Sequence, residues 1–227
     1  AASLRCAPPS TGMPQTAGLV SRKAHRPAAD ATAVHRLREA GAIPVGVTNT
    51  SELCMWMESS NHVYGRTNNP YDPTRMAGGS SGGEGAIIGA GASPFGLGSD
   101  VGGSIRMPAY FNGVFGHKPT GGLVPGTGQF PIAKGDALRY LTTGPLCRKA
   151  EDLWPLLKIL AGPDELDGGC LPWELGDPNA VTLRDLPVTV LPGLGAQRPS
   201  QAVTDAIGRA ASALGGEGAR VEEREVS

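Results

Sequence analysis

Half of the glycines crowd into less than a quarter of the chain: residues 78–128 hold 17 of the 34, in a sequence of 227 residues. Glycine gives up more backbone freedom on folding than any other residue, so this density is costly unless tight turns or close backbone approach demand it. It falls into two patches. "AGGSSGGEG" runs from Ala77 to Gly85, and "GSDVGGSIRMP" from Gly98 to Pro108. Each sets a serine directly after two glycines, Ser80 in the first and Ser104 in the second. With 34 glycines and 20 prolines the composition approaches that of disordered chains. A local concentration points instead to a tightly folded loop region.

The flanking pattern is that of an α/β domain. Asp30 is placed to cap a helix whose apolar face is Ala33, Val34, Leu37 and Ala40, with Gly41 to stop it. "AIPVGVT" (42–48) reads as a short buried strand and "SELCMWME" (51–58) as a helix capped by Ser51. "EGAIIGAGASP" carries small residues at helical spacing, and "PFGLGSD" reads as a buried strand leading into the second patch. "AEDLWPLLKILAG" predicts an amphipathic helix with Pro155 in its first turn. "LPVTVL" reads as a strand, "SQAVTDAIGRAASALGG" as a capped helix, and "ARVEEREVS" as a strand with a solvated face. Residues 1–29 lack periodicity and read as irregular. Trp56, Trp154 and Trp173 are expected in the core or at an interface.

A net charge of −1 argues against a polyanion-binding surface, so nucleic acid is not an expected partner. Cys6, Cys54, Cys147 and Cys170 form no CxxC pair, which leaves zinc chemistry without support and favours free thiols in a reducing intracellular compartment. No run of 18 apolar residues is present. The chain has no initiating Met and ends on a strand-like pattern, which reads as a fragment.

A serine hydroxyl attacks a carbonyl only once something takes its proton, and the resulting oxyanion needs N–H donors already aimed at it. Successive amides in a glycine-containing turn supply such donors without side-chain obstruction. In "DVGGS" these are the amides of Val101, Gly102, Gly103 and Ser104.

"GGSSGGEG", "GSDVGGSIRMPA" and "GVFGHKPT" together resemble the amidase signature family. "TNTSELCMWMESSN", "YGRTNNPYDPTRMAGGSSGGEG" and "TGPLCRKAEDL" are similar to its fatty acid amide hydrolase branch, the second type in particular. The match is clear over about 12–162, with 1–11 divergent, so that 1–227 reads as one partial domain lacking its C-terminal part. The fold implied is a mixed β-sheet core flanked by α-helices. The resemblance implies a Ser-Ser-Lys triad: Ser104 as acyl-forming nucleophile, and Ser80, after a cis peptide bond, as the proton-passing bridge. Ser81 supports the network, Asp100 and Arg106 pair to hold the turn, and Cys54 and Met55 line the acyl passage. It also gives Glu84 a buried supporting role. The substrate implied is a small-molecule amide, with a fatty acyl amide favoured. The chemistry requires no metal or organic cofactor. A homodimer is left open, and membrane association would need segments outside these residues.

The lysine is the departure. Ungapped extension upstream of Gly12–Pro14 brings Arg5 to its position, and Lys23, Lys118, Lys134, Lys149 and Lys158 do not occupy it. Either a lysine precedes Ala1 or Arg5 replaces it. Arginine stays protonated at any relevant pH and cannot act as the base. The chain is therefore expected to hydrolyse amides very poorly, and an inactive pseudo-amidase that binds acyl ligands is the competing reading. A further alternative is an α/β-hydrolase esterase, since Gly78–Gly82 also fits G-x-S-x-G with Ser80 as nucleophile, and His117 is the one histidine after it. His25, His35 and His62 share no ligand spacing and are expected at the surface.

Overall fold

The computed structural model describes the backbone of residues 2–5 and residues 10–133, 135–191, 193 and 199–224. The chain divides into two compact units, Ala1–Glu174 and Leu175–Ser227, where the sequence suggests one partial domain.

The first unit is built on a five-stranded mixed sheet. Strands β1 (Ala2–Arg5), β2 (Pro44–Thr48), β5 (Phe95–Asp100), β6 (Phe115–Gly116) and β7 (Thr142–Cys147) lie in the order β2-β1-β5-β7-β6. The pairs β1–β2 and β1–β5 are parallel, with Arg5 level with Thr48 and Leu4 with Leu97; β5–β7 and β6–β7 are antiparallel. A two-residue ladder, β3 (Ser60–Asn61) with β4 (Gly65–Arg66), stands apart from this sheet. The strand β1 falls where the sequence reads as irregular. Four residues are too few to show a period, and the neighbouring prolines mask them.

Helix α1 (Thr32–Glu39) buries Ala33, Val34 and Leu37 as expected, while Ala40 is exposed beyond its end. Its N-cap position is Ala31, not Asp30. The Asp30 carboxylate instead accepts from the Thr11 amide and hydroxyl, at 2.5 and 2.7 Å. Strand β2 is an edge strand rather than a buried one, with Val45 half exposed. The helix expected over 51–58 is only a short 3-10 turn, Glu52–Cys54, because Leu53 and Cys54 take positive φ values of 50° and 61°. Trp56 and Trp173 are exposed, not core, and Trp154 is half-buried on α5 (Leu153–Leu160) with Lys158 Nζ 5.8 Å from its ring.

Helix α2 (Gly82–Gly89) packs against β5 and against α3 (Arg106–Phe111). Its small residues let main chain approach: a Cβ on Gly85 would sit 2.7 Å from Asn112 Nδ2 and 2.9 Å from the Pro108 carbonyl. Ile88, Ile105, Ala109 and Leu146 close the core between these helices and the sheet. A one-turn helix, α4 (Ala137–Tyr140), precedes β7. The second unit holds the strand, helix and strand that the sequence pattern predicts, β8 (Pro187–Val190), α6 (Gln201–Gly216) and β9 (Arg220–Glu223), and the structure pairs β8 with β9 in parallel.

Candidate active site

Ser80 and Ser81 stand at the entrance to α2, directly after a cis peptide bond between Gly79 and Ser80. A Cβ on Gly79 would lie 2.6 Å from the Met57 carbonyl carbon and from the Trp56 oxygen. The glycine is thus required by main chain of residues 56–58 lying against it. The Ser80 carbonyl accepts two hydroxyl groups, from Thr50 at 2.8 Å and Ser59 at 2.9 Å. Ser59 Oγ in turn accepts the Gly82 amide at 2.8 Å. All of Thr50, Ser59, Ser80 and Ser81 are buried. Neither Thr50 nor Ser59 stands out in the sequence, where hydroxyl residues in loops are ordinary.

Ser104 lies in the turn between β5 and α3. The turn is organised by Asp100, whose side chain is fully buried. Its carboxylate accepts from the amides of Gly103 (2.7 Å), Ile105 (3.0 Å) and Arg106 (3.3 Å). The Arg106 guanidinium adds a two-pronged contact, Nε to Oδ2 at 3.1 Å and Nη2 to Oδ1 at 3.0 Å. Burial opposes the charge of Asp100, but the guanidinium and the three amides outweigh it and hold the carboxyl below its ordinary value. Gly103 takes a φ of +121°, which glycine adopts without penalty. One expectation is corrected here. The Gly103 amide, expected among the four oxyanion donors, is turned toward Asp100 and engaged there. Among the described residues the amides of Val101, Gly102 and Ser104 have no acceptor.

The two serine turns are tied to each other. The Ser81 amide donates to the Ser104 carbonyl at 3.2 Å. Ser80 and Ser104 line one cavity of about 530 Å³, together with Val101, Gly102, Cys54 and Met55. Leu53, Trp56, Met107 and Ile132 make the rest of its wall largely apolar. Leu53 and Cys54, both with positive φ, line it. Glu84 is buried and accepts the Thr48 hydroxyl at 2.6 Å.

Other candidates lie elsewhere. Lys23, Lys149 and Lys158 are exposed and Lys118 is half-buried; none of the four lines the cavity, and Lys134 lies outside the described residues. Arg5 ends β1, beside Thr48, with only its backbone described. His117 does not line the cavity; burial, then the neighbouring Lys118, pushes its imidazole below the usual histidine range. His25, His35 and His62 are exposed. Among the described residues no group of three His, Cys, Asp or Glu side chains is gathered as for a metal ion, and no helix is long and apolar enough to cross a membrane.

A mixed sheet whose central strand feeds a buried-carboxylate turn, joined to a second serine turn at a helix entrance, is the architecture of an amidase. Residues 9–227 match the Amidase family model, and the chain belongs to that family. Fatty-acid amide hydrolase 2 of Homo sapiens is 60% identical over 152 residues, which is 67% of this chain and 29% of that protein. Fatty-acid amide hydrolase 2-B of Danio rerio is 63% identical over 152 residues, with the same coverage. Among solved structures, a fatty acid amide hydrolase superposes with a TM-score of 0.87 at 30% identity, covering 99% of this chain and 40% of that one. A bacterial aryl acylamidase of the amidase signature enzymes superposes with a TM-score of 0.87 at 29% identity, over 99% of this chain and 47% of that one. The chain spans less than a third of the length of these curated relatives and less than half of these solved ones.

Proposed function

We propose that this chain carries the two-serine part of an amide-hydrolysing site, with a fatty acyl amide as its ligand. The observation that carries the reading is that Ser80, Ser104, Val101 and Gly102 line one cavity with a largely apolar wall. In this reading Ser104 Oγ attacks the amide carbonyl while its proton passes to Ser80 and onward to a base. The carbonyl oxygen, now negative, accepts from the amides of Val101, Gly102 and Ser104. Collapse of that intermediate breaks the C–N bond; the amine leaves with a proton, and water then releases the acid from the acyl-serine. The apolar wall, including Leu53, Met55 and Trp56, would hold the acyl chain.

The base is the weak link. Ungapped extension brings Arg5, the last residue of β1, to the lysine's position unless a lysine precedes Ala1, and a guanidinium cannot accept the serine proton. We therefore assign this chain very slow turnover. The second reading, an acyl-binding protein without catalysis, is favoured by the same residue. A serine-directed fluorophosphonate separates the two. The serine reading expects labelling of Ser104 that vanishes in Ser104→Ala, and a rise in amide hydrolysis in Arg5→Lys. A folded chain that takes no label and gains nothing from Arg5→Lys would leave only the binding reading.

A further inference from the structure

Next to the serine cavity lies a second one, of about 500 Å³. Two glutamines line it, and both are held in the same way. Gln15 is 4% exposed, and its Oε1 accepts from the Arg22 guanidinium at 3.1 Å. Gln129 is 8% exposed, and its Oε1 accepts from the Thr143 hydroxyl at 3.0 Å. A donor on each oxygen orients each carboxamide and turns its NH₂ group the other way. Among the described residues neither Nε2 has an acceptor. The fully enclosed side-chain atoms without a partner among the described residues are Ser10 Oγ and Asn112 Oδ1, so neither glutamine nitrogen is sealed off. Each carboxamide thus brings two unpaired N–H donors to a residue that lines the cavity.

The rest of the wall says which chemistry fits. Val124 and Leu138 are apolar. The Asp167 carboxylate is already engaged, accepting the amides of Gly126 at 2.7 Å and Gly169 at 2.9 Å. Its negative charge disfavours an anion beside it. Donors without acceptors, next to a carboxylate, suit a neutral acceptor. Gln129 and Leu141 also line the serine cavity, so the two spaces adjoin.

We propose that the second cavity is a subsite for the ligand of the serine site, and that it takes a neutral hydrogen-bond-accepting group such as an ether oxygen or an ester or amide carbonyl. That group lies along the chain, away from the carbonyl attacked by Ser104. The inference rests on the serine cavity being a ligand site. A plain hydrocarbon in this space strips water from both Nε2 groups and leaves them unpaired, which disfavours it relative to an acceptor-bearing chain.

Calorimetric titration with two primary amides of equal chain length, one alkyl and one with ether oxygens in the chain, tests this. The readout is the ratio of their affinities, ether over alkyl, in the unaltered chain and in Gln129→Leu. The ratio is expected to fall about three- to tenfold in the variant, as one lost hydrogen bond implies. Gln15→Leu, expected to act in the same direction, serves if Gln129→Leu does not fold. A ratio unchanged by the substitution, or no binding of either amide, overturns the proposal. A ratio that shifts in a chain whose Ser104 takes no fluorophosphonate would sink the hydrolytic reading and leave the subsite standing.

Discussion

The Ser81 amide donates to the Ser104 carbonyl across 3.2 Å, so the two glycine-rich turns are joined by main chain and not only by the hydroxyls they display. Because Ser81 follows Ser80 directly, whatever fixes the Ser80–Ser81 peptide also fixes where Ser80 sits relative to Ser104. The Ser80 carbonyl, in that same peptide, is held by the hydroxyls of Thr50 and Ser59.

Removing those hydroxyls should therefore reach Ser104 without touching it. Thr50→Val leaves the buried carbonyl one of these two donors, at a cost of about 1–2 kcal/mol. Ser59→Ala should cost more, since the Gly82 amide loses its acceptor as well. Chemical denaturation gives the stabilities, and the fluorophosphonate labelling rate should fall in the same order. Equal effects, or labelling indifferent to both changes, would show that the clamp does not position the turn.

Asp100 should govern both stability and its acid limit. Asp100→Asn removes the charge that gathers three amides and a guanidinium, an expected loss of about 2–4 kcal/mol at pH 7. Since the folded carboxyl is held below its ordinary value, its contribution is complete above the unfolded value of about 3.9 and is lost as pH falls through the lower folded value. The stability gap between the parent and Asp100→Asn should stay constant from pH 7 to about 5 and close below about 4. Arg106 is 55% exposed, so Arg106→Ala should cost only about 1 kcal/mol.

Cysteine modification should map the cavity. Cys54 lines it, whereas Cys147 is fully buried and burial pushes its thiol up to about 11. Iodoacetamide at pH 8 should modify Cys54 well before Cys147, and a bound acyl amide should slow the first reaction. Peptide mapping by mass spectrometry reads both.

Two glycine-to-alanine changes should have opposite signs. Gly85→Ala drives a methyl into Asn112 and the Pro108 carbonyl and should cost about 2–3 kcal/mol. Gly208 in α6 is exposed with nothing within 4 Å of an added Cβ, so Gly208→Ala should stabilise that helix by about 0.5–1 kcal/mol. Thermal melts of the two variants decide this.

Much of the framework was legible in the residues. The α1 face, the 95–100 strand and the proline-started helix α5 follow from periodicity and turn chemistry, which act over a few residues. The misreadings have one cause. At 51–58 apolar residues and a leading serine look helical, but packing of main chain 56–58 on Gly79 imposes another path. Trp56, expected in the core or at an interface, is not in the core but exposed at the cavity. Asp30 has the residue type of a cap, yet its partner is Thr11, 19 residues away.

By itself the sequence determined the two serine turns, and the resemblance those residues carry implied the Asp100–Arg106 pair that braces one of them, a contact between residues only six positions apart. Tertiary structure alone decided that the Gly103 amide faces Asp100, that Thr50 and Ser59 reach back 30 and 21 residues to one carbonyl, and that Gln15 and Gln129 share a cavity. A hydroxyl or a carboxamide carries no mark of its partner, and only the folded chain brings the acceptor within reach.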